Sequence, residues 1–378
     1  CEYPFKGLCG AAVAYKLVEA LCEANGQDVA DLDYLLENVA IATVADVMDL
    51  TEENRILVKQ GLEMLKRTTN LGLRALIQCI GLEGKKIQAY HIGFILAPCL
   101  NASGKLDTAK RALALLRAKT GREADMLAGD LKALNESRRD MTDRVVDEAM
   151  AKVEQTDIRG DKVLVIYLPD CHESLAGLVA GRVRENYYRP VFVLTDSEDG
   201  VKGSGRSIES YSMYEELTGC GDLLTKFGGH PMAAGLSLDK ENVEKFKRRL
   251  NDQCTLSEEE LTEKVVIDME LPFAAITEHF IEELEYMEPF GKGNTKPVFA
   301  ARGVVMQHVK IIGKNKNVAK ATAIDAAGNL MEAICFHDAQ EFAKQCERNN
   351  GKMSITFYPG INEFRGERQI QIVITHYR

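Results

Sequence analysis

Residues 122–155 constrain this chain more than any other stretch. They are highly charged, yet Leu127, Leu131, Leu134, Met141, Val145, Met150 and Val153 recur through them. Steps of three, four, five and seven residues place these positions on one side of an α-helix. About 30 residues rising 1.5 Å each make a helix of roughly 45 Å. A helix of that length with one narrow apolar stripe is expected to join folded regions rather than fill a core. Two helices broken near Asn135–Ser137 would satisfy the same pattern.

The sequence reads differently on either side of this helix. Residues 1–119 alternate helix-like runs with one buried run, Asn38 to Val47, read as a strand. From Lys162 the pattern becomes strand, helix, strand. Lys162–Leu168 is almost continuously apolar, as a strand buried on both faces must be. Glu173–Glu185 has helical spacing, and Pro190–Leu194 supplies a second strand, so a right-handed βαβ unit is expected. A helix near Val243–Leu250 closes this region, and an acidic linker follows at Ser257–Glu263. Beyond it the pattern predicts short strands at Val298–Val305, His308–Ile312, Val318–Ile324, Met331–Phe336, Met353–Tyr358 and Gln369–Thr375, with one helix at Ala339–Cys346. Many short strands around a single helix fit a small closed barrel of the OB type. The chain is thus expected to be a multi-domain α/β protein, divided at 1–119, 120–157, 158–256 and 264–378.

Composition removes several classes. No apolar run approaches the roughly 18–20 residues of a membrane helix, and no signal peptide is visible. The ten cysteines include no C-x-x-C pair, which argues against a zinc ribbon and reads as reduced thiols of a cytoplasmic protein. A net charge of −10 gives no global basic footprint, so any nucleic-acid contact must be local. The sequence opens on Cys1 rather than Met, and a processed or truncated chain is the expectation.

Several strings could carry chemistry. In Gly203-Ser204-Gly205-Arg206-Ser207, read as a loop, glycines would admit an anion to the backbone, hydroxyls would donate, and Arg206 would offer a bidentate fork. Ordinary surface turns look the same. His230, between Gly228-Gly229 and a run of small residues, is expected on a tight turn with its imidazole exposed. His172 opens the βα turn, where ligands of α/β sheets bind. Asp46 ends the buried run, as metal ligands and helix caps both do. Asn54-Arg55 and Asn101 with Lys105 are expected at loop-to-helix junctions.

Together these strings resemble the DHH/DHHA1 phosphoesterase superfamily and, within it, the RecJ exonucleases. The resemblance rests on Tyr3–Ala11, Ala42–Leu50 with Glu53-Asn54-Arg55, Leu100–Lys105, His172–Arg182, Gly203–Ser207, Gly228–Gly235, and Pro289-Phe290-Gly291 with Asn294 and Pro297–Phe299. It implies the C-terminal part of a DHH domain, a connecting helix, a DHHA1 domain and an OB-fold. It also implies a 5′-to-3′ single-stranded-DNA exonuclease of repair and recombination, working with two Mn2+ or Mg2+ ions. Asp46 would be one metal ligand and, with His230, catalytic. Ser204 and Arg206 would hold the 5′-phosphate and His230 would contact the scissile phosphate. Gly205, Ser207, His172, Gly228, Gly229, Asn101 and Lys105 would complete the contacts. In the OB-fold, Lys310, Lys314, Lys316 and Lys320 would track the strand, with Tyr358 and Phe364 stacking on bases; a merely solvated hairpin would show the same lysine run.

The sequence departs from the family pattern in places. The early aspartate motifs and the DHH triplet are absent, Lys105 stands where relatives have arginine, and Cys99 also replaces an arginine. With one aspartate left from the metal site, the chain alone is expected to bind strands without cutting them. The implied partners are single-stranded DNA with a 5′ end, a single-strand-binding protein and a helicase, with the chain itself a monomer. Rival readings are a DHH enzyme for short oligonucleotides and a non-catalytic scaffold that binds DNA or replication partners.

Overall fold

A computed structural model describes the whole chain except residues 1, 107–108, 314, 337, 349 and 365, and the side chains of 103–106 and 364. Lys314 and the side chains of Lys105 and Phe364 therefore lie outside the described residues.

The front of the chain is helical: α1 (Gly10–Ala24), α2 (Leu36–Ala45), α3 (Glu52–Lys66) and α4 (Leu71–Cys79). Next, α5 (Ala89–His91) runs through a π-helical turn, Ile92–Leu96, into α6 (Ala97–Leu106), and α7 (Lys110–Leu116) follows. The run read as a buried strand is α2. It buries Leu36, Val39, Ala40, Ile41 and Thr43, which leaves no polar stripe to reveal a helical period. Apolar runs this short do not distinguish helix from strand, and the alanines at 40, 42 and 45 favour helix. Asp46 thus caps a helix C-terminus and does not end a strand. The α2–α3 crossing is tight, because a Cβ on Gly61 would stand 2.3 Å from the Leu36 carbonyl oxygen.

Helix α8 (Gly121–Gln155) is unbroken over 35 residues, about 52 Å. Thr120 accepts from the Glu123 amide at 3.2 Å, and the Glu123 carboxylate accepts from the Lys119 amide at 2.9 Å, a start of the capping-box kind. Its first half buries Ala124, Ala128 and Leu131, and its second half buries Thr142, Ala149 and Val153. That second half closes over the cluster of the following domain, formed by Leu164, Ile166, Leu175, Val179, Val191 and Val193.

That domain is a five-stranded sheet built from β1 (Leu164–Tyr167), α9 (Glu173–Tyr187), β2 (Val191–Ser197), β3 (Gly200–Arg206), α10 (Met213–Thr218), β4 (Leu224–His230), β5 (Ala233–Leu238) and α11 (Val243–Gln253). The strand order is β1-β2-β3-β5-β4. Only β1 and β2 are parallel, as the βαβ reading requires. The GSGRS string is not a loop. It lies in β3, in the middle of the sheet, with Ser207 just beyond.

After the short β6 (Met269–Glu270) and α12 (Glu278–Glu285) come β7 (Phe299–Ile312), β8 (Val318–Ile324), β9 (Leu330–Cys335), α13 (Ala339–Arg348), β10 (Lys352–Phe364) and β11 (Glu367–Tyr377). The order β10-β11-β9-β8-β7 closes through β10–β7, with β11 parallel to β9. This is a five-stranded closed barrel of OB type. The two strands expected at Val298–Val305 and His308–Ile312 are one. A register shift between Gln307 and Lys310, with His308 at φ +52°, bends β7 without ending it.

Two compact units emerge. One holds residues 1–69, 82–97 and 265–378, and the other holds 70–81 and 98–264. Among the described residues, no helix is long and apolar enough to cross a membrane.

Candidate functional site

Strand register in the five-stranded sheet sorts the residues of interest into rows. Lys202, Ser237 and Lys226 lie across from one another, as do Ser204, Gly235 and Gly228, and then Arg206, Ala233 and His230. Residues paired across strands, and alternate residues along one, share a face. These nine positions are therefore one surface, with strands about 4.8 Å apart and rows about 6.8 Å apart. Helix α9 covers this face over Val191 and Val193, while Gly228, His230 and Gly235 remain exposed. The result is an open shelf with a floor of small residues. A cleft of about 500 Å3 opens on it, lined by Ser204, Gly228, Gly235, Lys202 and Lys226.

The opposite face explains two of the glycines. A Cβ on Gly203 would lie 2.4 Å from Leu194 Cδ2, and one on Gly205 would lie 2.6 Å from Met213 Sδ and 2.7 Å from Phe192. Gly205 thus faces the core, with its backbone in the ladder, and does not open an anion loop. Gly229 takes φ +153°, and a Cβ there would meet the Ala233 carbonyl oxygen at 2.4 Å. Gly228 has open space where its side chain would be. Ser207 is buried, and its hydroxyl donates to the Tyr211 carbonyl, so it does not reach the shelf. His172 caps α9: its Nδ1 accepts from the Ser174 amide at 3.3 Å and lies 2.8 Å from Ser174 Oγ.

Arg206 is electrostatically unusual. Its Nη1 donates to the Gly205 carbonyl at 2.8 Å, and among the described residues no carboxylate pairs with it. Burial first, and then the charge of Arg184, hold its guanidinium below the usual arginine pKa. Arg184, on α9, has a buried Nε without a hydrogen-bond partner. Among the described residues its carboxylate neighbour is Glu185 at 3.6 Å. Two partly buried guanidiniums whose charges repel oppose folding unless an anion compensates them. On the shelf, Lys202 is paired with Glu173 at 2.7 Å. Sequence reasoning missed Arg184 and Lys226. The only trace of Arg184 was its place within a helical run, and Lys226 became visible through strand register alone.

In the other unit, Asp46 is exposed at the C-cap of α2, followed by Val47 at φ +54°. Helix-end carbonyls beside a carboxylate favour a cation. Among the described residues, however, no group of three or more His, Cys, Asp or Glu could hold a metal. Asn54 and Arg55 serve the fold. Asn54 is fully buried and donates to the Gly7 carbonyl at 2.8 Å and the Asp49 carbonyl at 3.0 Å. Arg55 donates to the carbonyls of Tyr286, Met287 and Glu288. Asn101 is exposed inside α6 and not at a junction.

In the barrel, Lys310 pairs directly with Lys320 across β7 and β8, a like-charge arrangement that disfavours the sheet. Glu332 relieves Lys320 at 2.8 Å, while Lys310 is exposed. Lys316 sits exposed in the connecting turn at φ +52°. Tyr358 is not a free stacking surface. Lys296 Nζ lies 4.7 Å from its ring centroid, Phe290 meets it edge-on, and burial pushes its phenol up to about 12.

The chain thus joins an α/β domain that carries a cationic shelf to a closed barrel of OB type. Comparison with known proteins agrees. The family model described as the DHHA1 domain matches residues 160–256, and that of the RecJ OB domain matches 267–376. The single-stranded-DNA-specific exonuclease RecJ of Bacillus subtilis is 36% identical over 379 residues, covering 99% of this chain and 47% of that protein. The RecJ of Salmonella typhimurium is 33% identical and covers 99% of this chain and 68% of its own length. Crystal structures of RecJ from Thermus thermophilus, in complex with Mg2+ and with Mn2+, superpose with TM-scores of 0.82 and 0.83 at 26% identity. They cover all of this chain and 57% and 54% of theirs. The chain belongs to the RecJ family. It spans about half the length of the Bacillus relative.

Proposed function

We propose that this chain is the strand-holding part of a 5′-to-3′ exonuclease that hydrolyses phosphodiesters of single-stranded DNA in repair and recombination. The observation that carries the reading is Arg206, half-buried beside Arg184, without a carboxylate partner among the described residues, on the same shelf as Ser204. A terminal phosphate carries the charge and the acceptor oxygens that this cradle lacks. His230 stands in the Arg206 row, two strands away at about 10 Å, suited to a contact further along the strand. Lys310 and Lys316 of the barrel would follow the backbone by charge.

Divalent-ion use is part of the proposal, since the Thermus relatives are described in complex with Mg2+ and Mn2+. Asp46 would give one ligand. The described residues do not assemble a metal centre by themselves. Single-strand-binding protein and a helicase fit as partners because they present single strands with free ends.

The test is fluorescence anisotropy with one oligodeoxythymidine carrying either a 5′-phosphate or a 5′-hydroxyl. Tighter binding of the phosphorylated strand, by about tenfold or more, is expected. Equal affinities would refute the cradle.

A further inference from the structure

The side chain of Arg206 does not stand up from the sheet. It runs along α9, passing Gly181 and ending over Gly177. A Cβ built on Gly181 would stand 4.0 Å from Arg206 Cγ, an ordinary van der Waals contact. A Cβ built on Gly177 would stand 2.8 Å from Arg206 Nη2, 3.4 Å from Cζ and 3.3 Å from Ser204 Oγ. The two polar groups of the cradle thus converge on the one position in α9 that has no side chain and that a methyl group could not enter freely.

We infer that Gly177 is a positioning residue for 5′-phosphate recognition: its missing side chain is the space in which the Arg206 guanidinium and the Ser204 hydroxyl lie together. This rests on the cradle reading above.

The alternative is that Gly177 serves helix–sheet packing, and the surroundings oppose it. The atoms that a Cβ would meet belong to the far end of a long side chain and to a hydroxyl, not to backbone or to the apolar core. A methyl group there would be accommodated by swinging the guanidinium away, and the helix would not have to move off the sheet. Compare Gly203, where the collision is with two leucines of the core, or Gly229, where it is with backbone. At those positions the domain itself would have to adjust. At Gly177 only the anion-binding groups would. Alanine is also the better helix former, so the fold should lose nothing.

The test compares Gly177→Ala with Gly181→Ala, two substitutions of the same kind, one turn apart in one helix. Each variant of the full chain is measured for thermal midpoint and for the affinity ratio between 5′-phosphorylated and 5′-hydroxyl oligodeoxythymidine, beside wild type and Arg206→Met. Gly177→Ala should keep or raise the midpoint and lose most of the phosphate preference, by about tenfold. Gly181→Ala should keep the preference. The inference is overturned if Gly177→Ala retains the wild-type ratio while Arg206→Met abolishes it, a result that leaves the cradle standing. It is overturned equally if Gly177→Ala unfolds the domain, because the glycine would then serve packing. A wild-type chain with no phosphate preference removes the cradle and this inference together.

Discussion

Replacing Arg206 by Met should separate stability from recognition. The guanidinium is half-buried, is held below its ordinary pKa by burial and by Arg184, and has among the described residues no carboxylate partner. Its favourable contacts within the fold are the bond to the Gly205 carbonyl and the packing of its aliphatic stem along α9. Methionine keeps most of that stem and removes the charge. Taking away a half-buried cation that faces a like charge should leave stability unchanged or raise it by up to about 1 kcal/mol. Recognition should behave oppositely. Hydrogen bonds to a charged group contribute about 1.5–3 kcal/mol, so the variant should bind a 5′-phosphorylated strand roughly 10- to 150-fold more weakly. Thermal unfolding with and without the oligonucleotide reads both effects in one assay. At 100 times its dissociation constant, the phosphorylated strand should stabilise wild type by about 2.7 kcal/mol, and at the same concentration it should shift the variant much less. A variant that loses more than about 1 kcal/mol of stability yet keeps its phosphate preference would show that Arg206 is a packing residue.

Three further outcomes are expected. Lys310→Gln in the barrel should weaken binding of single strands of any sequence and lower the slope of log affinity against log salt by about 0.7; an unchanged slope would place that edge of the barrel off the DNA path. Burial raises the Glu37 carboxyl pKa, a bond with Thr68 offsets this only in part, and so the folded state holds its proton more tightly than the unfolded state does. Wild-type stability should therefore fall as pH rises above the unfolded value of about 4.3. Glu37→Gln should be the more stable protein at about pH 8, with the difference closing below about pH 4, and a gap that widened on acidification would reverse this assignment. Finally, Gly61→Ala should cost about 2–3 kcal/mol in urea unfolding despite its better helix propensity, because the new methyl would stand 2.3 Å from the Leu36 carbonyl oxygen and 2.5 Å from Ala40 Cβ; a neutral result would mean that α2 and α3 slide apart freely.

Much of this protein was legible from residue order. The stripe from Leu127 to Val153 marked a helical segment, because a 3.6-residue period survives in any helix with one wet face, and the structure decided that it is one helix, unbroken at Asn135–Ser137. The apolar runs at Leu164 and Val191 specified parallel strands, and the strand spacing beyond Phe299 specified the barrel. Where burial is all-round, periodicity disappears, so the α2 segment could be taken for a strand and Asp46 for a strand end. GSGRS resembles a loop because glycine, serine and arginine are what turns use. Only the sheet register put Gly205 against Phe192 and turned Ser204 and Arg206 to the other face. Residue order named Ser204, Arg206 and His230 as candidates. The pairing of β3, β5 and β4 placed them on one shelf, and the packing of α9 set Arg184 and Gly177 beside them. Charge repulsion and steric exclusion act through space between residues roughly 20 to 30 positions apart, and no local pattern in the sequence encodes that proximity.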